Sequence, residues 1–165
     1  MIKHSTNERV ERFENYLKLI DAKTTEIPIL NFEFYTVDHQ DSYFRGYPRL
    51  FSILAKSSLV GPIIAVSTEV PEEFRPVWAT YEFLDDRIPE NRGTAKLLNR
   101  EMESISPIER KKYLDLRTTY FSELEEYAEL NNAHFSKEEI EQARLNSRYL
   151  VEERESLKYS KGLVK

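Results

Sequence analysis

Asp38-His39-Gln40-Asp41 sets one imidazole among carboxylates, just after a run of strand-forming residues. A carboxylate beside a histidine can fix its tautomer and raise its basicity, which suits it to general-base work near neutral pH. Glu69, Glu73 and Glu82 are the further carboxylates that folding could bring to this imidazole. Asp38, His39, Glu69, Glu73 and Glu82 therefore form the candidate catalytic set, and a small hydrolase or transferase is the chemistry they would serve. Glu82, Asp85 and Asp86 also lie three and four residues apart on one expected helix. They could divide acid and base roles only where burial pushes their pKa values apart. Arg75, Arg87, Arg92 and Arg100 could gather an anion, but they also suffice to neutralise Glu72, Glu73, Asp85, Asp86 and Glu90.

Other chemistries lack their residues. The chain contains no cysteine, which removes disulfides, thiol nucleophiles and thiolate metal sites together. His-Glu-x-x-His, Glu-x-x-His, Gly-x-Ser-x-Gly and P-loop patterns are all missing. No metal and no cofactor is expected. The remaining histidines, His4 and His134, read as a residue near the chain start and a loop residue.

The elements that must hold these residues follow from periodicity. Gly61–Asp86 is the organising stretch. Pro62 to Val66 is a short apolar run with β-branched residues, read as a buried strand. A helix from Pro76 to Asp86 follows, with Val77, Tyr81 and Leu84 on one face and Trp78, the only tryptophan, beside them. Before it, Val10, Phe13, Leu17 and Ile20 recur at helical spacing behind a Ser5–Glu8 capping box, giving a helix over 6–22. Residues 27–37 read as one strand, with Leu30, Phe32 and Phe34 alternating with polar neighbours. Arg49 to Lys56 reads as a short helix through Leu50, Ile53 and Leu54. Strand, helix and strand could form a parallel unit or an antiparallel pair with a long connection.

The polar segment 88–93 is the clearest break in the chain. Thr94 then caps a helix to about residue 104. Ser106-Pro107-Ile108-Glu109 combines a serine cap, proline in the first helical position and a capping-box glutamate, so a helix to about Leu130 is expected. Tyr113, Tyr120 and Tyr127 fall seven apart on it, as do Leu114, Phe121 and Ala128. A second capping box at Ser136, with Phe135 and Ile140 as a staple, starts a partner helix, and the two form an antiparallel hairpin.

The expected fold is α+β and predominantly helical. A small two- or three-stranded sheet packs against helices that include the long C-terminal hairpin. Residues 1–158 make one globular domain and 159–165 a frayed tail. With 165 residues, 40% hydrophobic and 12% aromatic, a substantial core is expected. The net charge of −5 and the mixing of both signs along the chain disfavour nucleic acid. No apolar leader or membrane-length run is present, so a soluble, cytoplasmic protein is expected. In function, long amphipathic helices and the lack of a catalytic motif point to an interaction or adaptor protein. Its helical surface would bind a protein partner, or a second copy, through residues 107–157.

Overall fold

The computed structural model describes residues 2–87 and 105–131. The chain divides into two compact units, Met1–Arg87 and Ile88–Lys165, and the division falls at the polar break.

The first unit is built on a five-stranded mixed sheet, which replaces the expected two- or three-stranded one. Its strands are β1 (Ile2–His4), β2 (Lys23–Ile27), β3 (Phe32–Val37), β4 (Ser52–Ala55) and β5 (Ile63–Ser67), in the order β1-β4-β5-β3-β2. β1 runs parallel to β4, β4 antiparallel to β5, β5 parallel to β3, and β3 antiparallel to β2. The strand inside the organising stretch is thus the central one. Two rows of facing residues cross all five strands. Ile2, Ile53, Ala65, Tyr35 and Thr24 form one; Lys3, Leu54, Ile64, Phe34 and Thr25 form the other. Successive residues of a strand point to opposite faces, so these rows lie on the two sides of the sheet. Both are buried at β4 and β5 and open towards β2.

Residues 49–56 correct the sequence reading. Leu50, Ile53 and Leu54 mimic helical spacing, yet Ser52–Ala55 is a strand between β1 and β5. A strand covered on both faces shows an unbroken apolar run instead of alternation, and here all four residues are buried. The single strand expected over 27–37 is instead a hairpin. β2 and β3 are joined through a 3-10 turn, Pro28–Leu30, and Asn31 in the left-handed region (φ 53°). Asparagine is among the few side chains that tolerate that region. β3 and β5 pair in parallel, as one of the two proposed layouts has it, but the connection between them holds strand β4, antiparallel beside β5, where a helix was expected.

Helix α1 (Asn7–Leu19) joins β1 to β2, the two edges of the sheet. Thirteen residues span roughly 20 Å, and four inter-strand spacings come to roughly 19 Å, so this helix can cross the whole sheet. Its cap is Thr6, whose hydroxyl accepts from the Arg9 amide at 3.3 Å, one residue beyond the expected Ser5. It ends early because Asp21 takes a left-handed conformation (φ 51°). The Asp21 amide then reaches the Lys18 carbonyl and the Ala22 amide the Leu17 carbonyl, both at 3.1 Å, which satisfies the last turn. Val10, Phe13 and Leu17 are its buried stripe.

Helix α2 (Arg75–Arg87) follows a 3-10 turn, Glu72–Phe74, and lies against β4 and β5. Trp78, Ala79, Tyr81, Glu82 and Phe83 are buried, whereas Val77 and Leu84 are half-buried. Trp78 thus takes the central place that the spacing gave to Val77. Phe83 stacks on Phe32 of β3 with ring centroids 4.2 Å apart.

In the second unit, α3 (Pro107–Asn131) starts where the serine–proline signal places it. Glu109 and Arg110 donate their amides to the Ser106 carbonyl at 3.0 and 3.1 Å. Tyr113, Leu114, Tyr120, Phe121, Leu124 and Ala128 are buried. Arg117 is buried among them, its guanidinium 5.4 Å from the Tyr120 ring centre and 5.1 Å from that of Phe121. The helix expected over 94–104, the second hairpin helix, His134 and the tail lie outside the described residues.

Candidate functional site

The segment between β3 and β4 folds as successive turns lined with aromatic rings. Phe44 is fully buried and meets Phe13, Tyr16, Tyr43, Tyr47 and Phe51. Tyr16 stacks on Tyr43 at 4.7 Å. The Tyr16 hydroxyl donates to Asp41 Oδ1, which also accepts the Tyr43 amide at 2.9 Å. That hydrogen bond to Asp41, with partial burial second, raises the Tyr16 phenol above its ordinary pKa. Burial raises Tyr43 as well, against the opposing charges of Arg12 and Arg9.

His39 joins this cluster in a way its sequence neighbours do not suggest. Its Nε2 lies 2.9 Å from the Tyr47 carbonyl oxygen, and its ring is 6.2 Å from that of Phe51. A carbonyl only accepts, so Nε2 carries the proton. Nδ1 is buried and has no hydrogen-bond partner among the described residues. Asp38 does not reach the imidazole; it accepts the Gln40 amide at 2.8 Å in a local turn. The Tyr47 hydroxyl lies 3.4 Å from His4 Nε2, so one tyrosine touches both histidines. Burial, and secondarily Arg9, lowers the pKa of His4.

The remaining candidates are dispersed. Glu69 pairs with Arg49 at 3.8 Å, and Glu73 is an exposed residue of the 3-10 turn. Glu82 is fully buried and accepts from the Ser52 hydroxyl at 2.6 Å. Among the described residues, none of Asp38, Glu69, Glu73 and Glu82 hydrogen-bonds to His39. Arg75 donates to the Val70 and Thr68 carbonyls, both at 2.8 Å, and so clamps the turn before α2. The junction of β5 and that turn uses its own amides: Thr68 donates to the Val37 carbonyl and Glu69 to Ser67 Oγ. Among the described residues, no group of three or more histidine, aspartate and glutamate side chains could hold a metal ion. The side chains of Asp85, Asp86 and Arg87, together with Arg92 and Arg100, lie outside the described residues.

Sequence reasoning missed the β2–β3 hairpin. Glu26 and Glu33 face each other directly across its ladder, and both are exposed. Like charges so placed destabilise a sheet. No ion pair reaches either carboxylate among the described residues. They line a surface cleft of about 420 Å³ with Ile27, Pro28, Asn31 and Phe32. Ile29, beside the cleft in the turn, is 95% exposed, and Leu19 is exposed at the end of α1. Among the described residues β2 is the edge of the sheet, so alternate residues turn their backbone N–H and C=O groups away from β3. The two glutamates were legible as residues, but their opposition exists only in the hairpin register.

No protein-family model, curated protein or solved structure matches the chain. Among the described residues, no helix is long and apolar enough to cross a membrane.

Proposed function

We propose that this chain is a protein-interaction module that takes up an extended segment of its partner alongside β2. The observation that carries this reading is the open edge strand itself. Lys23, Thr24 and Glu26 are exposed, the outward backbone groups await a ladder, and Ile29 and Leu19 offer apolar surface nearby. Strand addition to such an edge draws its affinity from main-chain hydrogen bonds. The adaptor role expected from the sequence is kept, and its docking surface moves from helix to sheet.

Proline substitution tests it. Of Thr24→Pro and Thr25→Pro, the one whose N–H points away from β3 should fold normally, because an edge position tolerates proline. That variant should lose binding of an extended peptide with alternating threonine and valine, measured by amide shifts at Lys23–Ile27. Unchanged binding in a folded proline variant would end the reading.

Partner or homodimer contact through residues 107–157 is a second reading, favoured by Ile108 and Leu130, both exposed on α3. The tyrosines at 113 and 120 are buried and so do not contribute to such a face. Light scattering of the Ile108→Glu and Leu130→Glu variants tests it: an oligomer in the parent that falls to monomer supports it, and a parent that is already monomeric removes the homodimer.

A further inference from the structure

Resting on the β2-edge reading, we infer that the segment taken up is basic, with a lysine or arginine placed opposite Glu26 and an apolar residue next to it. Facing residues across a ladder share one side of a sheet, so an added strand extends the Glu33–Glu26 row by one position. A cation there meets Glu26 directly and Glu33 one strand further on, relieving a repulsion that the free hairpin carries. The adjacent residue of the added strand falls on the other side, level with Ile27 and its facing residue Phe32. The recognised pattern is therefore a basic residue beside an apolar one in extended chain.

A second copy of this chain fits poorly. Two-fold pairing of β2 with itself places each residue opposite one of the same parity, since facing residues share a side and the symmetry preserves it. Glu26 could then face only Ala22, Thr24, Glu26 or Pro28 of the copy, never Lys23. Every such register leaves the carboxylate pair without a cation. Self-pairing therefore brings no cation to the Glu26–Glu33 pair, whereas a basic strand does.

The experiment compares three peptides of one length, with alternating threonine and valine, whose central threonine is kept or replaced by lysine or by glutamate. Binding is read by fluorescence anisotropy. The intact protein should prefer the lysine peptide over the neutral one by roughly fivefold and bind the glutamate peptide least. The Glu26→Gln/Glu33→Gln variant should lose that preference and hold the neutral peptide at least as well as the parent. Glu8→Gln/Glu11→Gln, which changes the net charge equally on α1, should keep it. Equal binding of lysine and neutral peptides by the parent overturns the basic partner and leaves strand addition standing. Loss of preference in the α1 control reduces the effect to overall charge and overturns it too. No binding of any peptide overturns both readings.

Discussion

Ser52 donates a 2.6 Å hydrogen bond to Glu82, and neither side chain reaches solvent. The bond ties β4 to α2 across the layer that also holds Trp78. Ser52→Ala removes the donor and leaves a buried carboxylate oxygen short of one partner, a loss of about 1–3 kcal/mol. Urea unfolding followed by Trp78 fluorescence measures it, since this single tryptophan is fully buried and shifts to longer wavelength on exposure. An unchanged midpoint would mean the bond contributes nothing net.

His4 links stability to pH. Its folded-state pKa lies below the ordinary value of 6.5, so the folded protein binds fewer protons there than the unfolded chain. The associated stability is present above pH 6.5 and is lost as pH falls through the lowered value. Unfolding free energies should decline across that window, and His4→Gln should flatten this part of the decline. An NMR titration midpoint for the His4 ring at or above 6.5 would contradict the burial that causes the shift.

Tyr16 should ionise at higher pH than a free phenol, because its proton is held by Asp41. Asp41→Ala should bring it down towards the ordinary phenol value, leaving only the smaller effect of burial. Absorbance near 295 nm during alkaline titration distinguishes the two proteins, and identical curves would remove Asp41 as the cause. In the parent, the stability carried by this bond is intact below pH 10 and is lost as pH climbs through the raised value.

Arg117 lies over two rings of its own helix, Tyr120 and Phe121. A planar guanidinium stacks where an ammonium does not. Arg117→Lys should therefore lower stability by about 0.5–2 kcal/mol despite keeping the charge. Thermal melts by circular dichroism test this, and an unchanged Tm would assign the rings no part in holding the side chain.

What the sequence disclosed follows the range of the interactions involved. The spans of α2 and α3 were legible because their start signals are local: Pro107 and Ser106 mark a helix start without help from elsewhere, whereas the buried face of α2 is set by what it packs against. Arg117 was not singled out: it falls on the stripe between Tyr113 and Tyr120 and is buried with it, a place that a charged residue type does not announce. β1 is three residues long and β2 reads Lys-Thr-Thr-Glu-Ile, so neither has enough apolar pattern to announce a strand. Each owes its form to a partner, β4 or β3. β4 was misread because burial on both sides erases the alternation that separates strand from helix. His39 was singled out for its carboxylate neighbours, yet a main-chain carbonyl eight residues away claims its Nε2. Backbone acceptors leave no trace in residue types.

The pairing of Ile2–His4 with Ile53–Ala55 sets an order on how the molecule comes into being. A ribosome delivers the first strand long before its neighbour, so the N-terminal strand must wait while some fifty residues emerge. Through that interval Val10, Phe13 and Leu17 have only the β2–β3 hairpin to cover. Ile2–His4 are thus among the last residues to settle, and a substitution that weakens their pairing would fall on the step that closes the sheet.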